Sequence, residues 1–263
     1  MLFDKIHREP TQFEIFERLR WQLREIQTVR PNEDWLGVFH YGSFNYGLTD
    51  EKSDLDVRYI YFSDESQGII EYKLPTEEIV ECISFSDFCG GLWEGQWSLV
   101  ETLFTKYFFV NPKYINEWLA LTNLAQDFIK YRRDAFVERM LPDKDYLLQR
   151  FDQDITADSF GYTVCGYPCK ILALTKFRLL IASRLTQIGN VIFSFECPQD
   201  KKQELLDIKR GHLPGTREEV RRMILDDFQK IDFIKKNLPP IKSNPRFPEF
   251  FYKRIEAIIQ KRS

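Results

Sequence analysis

The chain has 263 residues, 43% of them hydrophobic and 29% charged, with a net charge of −3. That is apolar material for one large domain or two modest ones, and the acidic balance excludes nucleic-acid binding by overall charge, leaving only local basic patches for such contact. Five cysteines without a Cys-x-x-Cys spacing and three histidines outside any ligand array exclude a patterned zinc site.

The elements follow in chain order. Thr11-Gln12-Phe13-Glu14 reads as a capping box, and apolar residues at Phe16, Leu19 and Leu23 continue at helical spacing, so a helix is predicted over 12–28. Strands are predicted over 35–41, 55–62, 69–73 and 79–85. Helical spacing returns over 114–131 and 136–148. Pro168 suits the first turn of a helix running to about Ile188, closed by Gly189-Asn190. Lys209-Arg210-Gly211 reads as a loop, Gly215 to Glu219 opens a further helix to about Lys236, and a last helix is predicted over 249–261. The fold class is α+β, a short mixed sheet followed by a helical C-terminal half. The division is expected at 1–110 and 111–263, with Asn111-Pro112 as punctuation and the helical part forming the other wall of a cleft.

No apolar run approaches the ~20 residues needed to span a bilayer. The first ten residues show no signal-peptide core. Reduced, mostly buried thiols are expected, Cys165 and Cys169 as helix packing, and with them a cytoplasmic protein.

The chemistry concentrates in residues 38–58. A strand ends in Gly42-Ser43, a polar segment follows, and a second strand opens with Asp54-Leu55-Asp56. Alternation places Asp54, Asp56 and Arg58 on one strand face. Two carboxylates side by side repel unless a cation lies between them, and Mg²⁺ prefers such oxygens together with substrate phosphate. A glycine lets the backbone approach phosphate closely, and the Ser43 hydroxyl adds a donor.

This pattern resembles the signature of the DNA polymerase beta-type nucleotidyltransferase superfamily. Within it, Gly42-Ser43 to Tyr46-Gly47, then Ser53-Asp54-Leu55-Asp56, is similar to the RNA-ligase-associated (RlaP-like) predicted nucleotidyltransferases. The resemblance covers about residues 35–105 and continues more loosely through a basic helix over 168–187 and Ile208 to Gly211. It implies a polymerase beta-like core that moves an NMP from an NTP to an acceptor hydroxyl with release of pyrophosphate. The cofactor implied is Mg²⁺ or Mn²⁺, two ions about 3.5–4 Å apart. The acceptor favoured by analogy is an RNA end, such as a tRNA needing repair, with an RNA ligase as a further partner. A protein side chain or a small molecule is the alternative acceptor, and a non-catalytic nucleotide- or RNA-sensing module is the alternative to an enzyme.

The expected metal-holding and catalytic residues are Asp54, Asp56 and Glu81. Glu81 is chosen because it shares a strand face with Ile79, Ile83 and Phe85, where an acid needs a reason. Asp87 and Glu101 compete for that third place, Glu101 also suiting a supporting role. Gly42, Ser43, Arg58, Lys170 and Arg178 are the expected nucleotide contacts, the last two through the resemblance. Arg58 has a second reading, an ion pair that orients one of the acids. His40 reads as a structural histidine.

Overall fold

The structure, a computed structural model, describes residues 10–49, 53, 55–140, 144–152, 169–185, 192–212, 216–238 and 244–262. Helix α1 (Gln12–Val29) begins as the sequence requires. The Glu14 N–H donates to the Thr11 hydroxyl and the Thr11 N–H to the Glu14 carboxylate. Its buried stripe of Ile15, Leu19 and Ile26 packs on one face of a sheet, against Val38, Val57, Tyr59 and Cys82. Arg18 is buried on the same helix and pairs with Glu78, which fixes α1 to the sheet by charge as well as by apolar contact.

The sheet contains β1 (Trp35–His40), β2 (Val57–Tyr61), β3 (Ile69–Lys73), β4 (Ile79–Ser84) and β5 (Phe108–Val110), in the order β3-β4-β2-β1-β5. Only β2 and β4 run parallel; the other pairs are antiparallel, so the sheet is mixed. Two registers decide the site. Phe39 lies opposite Arg58 across β1 and β2, and Arg58 lies opposite Glu81 across β2 and β4.

Short helices α2 (Ser43–Tyr46), α3 (Phe85–Trp93) and α4 (Trp97–Thr102) follow β1 and β4. The Ser84 hydroxyl caps α3 by accepting the Asp87 N–H at 3.0 Å. Phe39 and Phe88 both meet Trp118 of α5 (Ile115–Thr122), at ring separations of 4.6 and 6.2 Å, which closes the sheet face opposite α1.

Beyond α5 the described chain is helical: α6 (Ala125–Met140), α7 (Lys144–Asp152), α8 (Cys169–Leu185), α9 (Gln199–Lys209), α10 (Arg217–Lys236) and α11 (Phe247–Arg262). The chain forms two compact units, Met1–Arg132 with Lys242–Ser263, and Arg133–Ile241. This differs from a division at 110. The last helix returns to the first unit because its aromatic face belongs there: Phe251 lies 4.8 Å from Phe128 and 6.0 Å from Trp93, and Lys261 pairs with Glu117 at 2.7 Å. In the second unit α8 packs on α9 and α10, and Asp227 of α10 binds Lys176 at 2.6 Å and Lys230 at 3.1 Å. No described helix is long and apolar enough to cross a membrane.

Three expectations need correction, and one strand was not expected at all: β5, three residues long, ends directly before the Asn111-Pro112 read as punctuation. The helix expected over 114–131 is two helices, with Asn123 as the cap between them. Helix α9 is nearly all polar in sequence, so it lacks the apolar stripe that announces a helix; Lys209 therefore sits buried in a last helical turn and not in a loop. Cys169 is disulfide-bonded, whereas Cys82, Cys89 and Cys197 are free thiols; Cys165 lies outside the described residues.

Because Phe251 is fully buried among aromatic rings, Phe251→Ala should cost about 3–5 kcal/mol, as large-to-small changes in a packed core do. Equilibrium urea unfolding of the two proteins measures this directly.

Candidate active site

Strand β1 ends at His40, and the chain turns at Gly42, whose φ of 85° belongs to the left-handed region that favours glycine. Glycine is needed there for a second reason. A Cβ on Gly42 would lie 2.5 Å from the Asp56 Oδ2, so the backbone of the turn and the Asp56 carboxylate are in direct contact. The Tyr41 N–H donates to the Asp56 carbonyl at 3.1 Å and holds the two segments together.

The turn is fastened from below by Glu101 of α4, which is fully buried. Its Oε1 accepts the Gly42 N–H at 2.7 Å and the Asn45 Nδ2 at 2.9 Å; its Oε2 accepts the Tyr46 hydroxyl. Trp97 Nε1 donates to that same hydroxyl at 2.7 Å, and Asn45 is held by the His40 carbonyl and the Thr105 hydroxyl, each at 3.0 Å. Glu101 is therefore a support for the turn and not a third acid facing it. Burial outweighs these donors and pushes its carboxyl up to about 7.

Arg58 is fully buried. Its Nη2 donates to Glu81 Oε2 at 2.5 Å, and its Nη1 to the Ser98 carbonyl at 2.5 Å and the Thr102 hydroxyl at 3.0 Å. Its guanidinium stacks 4.4 Å over the Tyr41 ring. Its Nε is buried without a partner, but both Nη groups are taken up inside the fold, so the nucleotide contact expected of Arg58 gives way to its other reading, the ion pair that orients an acid. Glu81 is 21% exposed, at the rim where the covered face of β4 gives way to the exposed Ile79. The Tyr41 hydroxyl bonds to Glu81, and burial together with the charges of Glu81 and Asp56 pushes it far above its ordinary range.

The structure thus brings Gly42, Asp56, Arg58 and Glu81 together. Asp54 lies outside the described residues. Ser43 opens α2 beside Gly42 and is partly exposed. Lys170 is exposed in the first turn of α8 and Arg178 is half-buried on that helix; both belong to the second unit. Asp87 is occupied elsewhere: it accepts the Ser66 hydroxyl at 2.6 Å and the N–H groups of Gln67 and Gly68. His40 is buried among Phe44 and Tyr107, and burial lowers it to about 3, so it is a neutral structural residue. A pocket of about 950 Å³ in the second unit, lined by Leu205, Phe233 and the paired Lys176 and Asp227, contains none of the expected site residues.

Tyr41, Asn45, Tyr46 and Trp97 were not identified as supports; Tyr46 alone had a signal, its place in the Gly-Ser-x-x-Tyr-Gly run. Among the described residues no group of three or more His, Cys, Asp or Glu could hold a metal ion. The described carboxylates, Asp56 and Glu81, supply the hard oxygen donors that fit Mg²⁺ or Mn²⁺. No protein-family model matches the chain, and no curated protein matches its sequence.

Two predictions follow from this geometry. Glu81→Leu should cost about 3–5 kcal/mol, because it leaves the buried Arg58 unpaired, and Arg58→Met less, because Glu81 keeps some water. The double variant should recover most of both losses, and a thermodynamic cycle from urea unfolding reads that coupling. The second concerns pH. Glu101 binds its proton more tightly folded than unfolded, so its contribution to stability falls as pH rises from about 4.5 to about 7 and stays low above. At about 1.4 kcal/mol per pKa unit the cost is on the order of 3 kcal/mol. Stability measured across that range should slope downward in the native protein relative to Glu101→Gln.

Proposed function

We propose that the protein is a metal-dependent nucleotidyltransferase, moving an NMP from an NTP to an acceptor hydroxyl. The observation that carries the reading is the contact between the Gly42 turn and the Asp56 carboxylate, with Glu81 fixed on the same sheet face by Arg58. A triphosphate and an acidic, cation-holding edge must meet in this reaction, and here a glycine turn and an acid are held in contact, with the Tyr41 N–H bonded to the Asp56 carbonyl beside them.

In this reading Asp54 and Asp56 hold the cation and Glu81 is the third acid. The bound Mg²⁺ or Mn²⁺ neutralises triphosphate charge and makes the acceptor hydroxyl more acidic. The Gly42-Ser43 turn orients the phosphates, Ser43 through its hydroxyl. The acceptor oxygen forms its bond to the α-phosphorus as the bond to the β-phosphate oxygen breaks. Pyrophosphate leaves with that electron pair, and the hydroxyl proton passes to a carboxylate of the site. The sequence resemblance favours an RNA end as acceptor.

Incubation of the protein with each of four α-labelled NTPs, Mg²⁺ or Mn²⁺, and total tRNA tests this. The expected result is label on RNA that falls to background in Asp56→Asn while the variant stays folded. Label on protein from an added extract would move the acceptor to a side chain. Equal labelling by Asp56→Asn would remove the assignment.

A further inference from the structure

We propose that Glu101 is the positioning residue of the phosphate-binding turn: its carboxylate, bonded to Gly42, Asn45 and Tyr46, sets the turn in the shape that accepts a triphosphate. The proposal rests on the nucleotidyltransferase reading for the ligand, while the clasp itself stands on the contacts alone.

The three donors differ in what they can do if Glu101 takes up a proton. The Gly42 N–H and the Asn45 amide can only donate, so they need an unprotonated oxygen. Tyr46, whose oxygen also receives the Trp97 N–H, would have to turn from donor to acceptor toward Glu101. A protonated Glu101 therefore replaces the charge-assisted bonds to the turn with weaker neutral ones. Because the carboxyl is poised near neutrality by burial, both forms are reachable under ordinary conditions.

The charged and titratable groups around it are few. Arg58 from β2 favours the ionised form. Tyr46 from α2 donates to it. Asp56 lies on the far side of Gly42, and His40, beneath the turn, is neutral. His40 lies far below the range in which Glu101 takes up its proton, and Arg58 is bound to Glu81. The inner turn is held by the anion, which takes the Gly42 N–H, and the Gly42 carbonyl accepts the Asn45 N–H; the partly exposed Ser43 is the residue of the turn that would meet the ligand.

The experiment uses the full chain and two readouts. The first is the amide proton shift of Gly42 in ¹⁵N-labelled protein, without nucleotide, from pH 5.5 to 8.5. It should titrate near 7 in the native protein and stay flat in Glu101→Gln, whose amide keeps the size and one acceptor oxygen. The second is the Kd of a non-hydrolysable ATP analogue with Mn²⁺. It should tighten roughly tenfold from pH 6 to 8 in the native protein, about the worth of one charge-assisted hydrogen bond, and show no such change in Glu101→Gln. Glu101→Asp, which keeps the charge on a shorter arm, should retain the pH dependence with weaker binding. A flat Gly42 shift in the native protein overturns the clasp. A Gly42 shift that titrates while Glu101→Gln binds nucleotide with the native affinity and pH profile overturns the positioning role. A titrating shift with no nucleotide bound by any variant at any pH keeps the clasp and removes the nucleotide reading.

Discussion

The burial of one carboxylate, Glu101, is the constraint on which the candidate site depends. The turn has Phe44 and Tyr46 of α2 packed beside it, on His40 and Trp97, but Gly42 itself has no side chain to hold it. Glu101 holds its backbone instead. It costs desolvation, which is why its carboxyl is pushed toward neutrality, and it returns three hydrogen bonds that place Gly42, Asn45 and Tyr46 at once. The same α4 helix provides Ser98 and Thr102 to Arg58, so a single short helix fixes both the turn and the ion pair beside it.

The second buried charge follows from the sheet. Register sets Arg58 of β2 opposite Glu81 of β4, and the parallel pairing keeps both on the face that α3, α4 and α5 cover. Once Arg58 is fully buried it must have a carboxylate, and Glu81 has to be an acid whatever else it does. Its partial exposure leaves it able to face a ligand as well. Asp56 stands at the mouth of β2 in contact with the turn.

Much of this was legible in the sequence because it rests on periodicity. The capping box of α1, the four longer strands and the shared face of Asp56 and Arg58 all follow from period-3.6 and period-2 spacing with local caps, whereas the pairing of Arg58 with Glu81 needs the register. What was not legible is long-range. Glu101 reads either as a third acid or as a support, and only tertiary structure shows the Gly42 N–H 2.7 Å away. Arg58 reads equally as a phosphate contact or an ion pair until burial decides. β5 is too short to carry alternation, α9 has no apolar stripe, and the return of α11 to the first unit depends on which aromatic rings it meets.

The central claim is that the Gly42 turn and Asp56 together form a cation-dependent triphosphate site. Calorimetric titration of the protein with a non-hydrolysable NTP analogue, with Mn²⁺ and then with EDTA, addresses it most directly. The account predicts binding that requires Mn²⁺ and is lost in Asp56→Asn at unchanged fold. Binding that is indifferent both to the cation and to Asp56, or no binding of any of the four nucleotides, would contradict it.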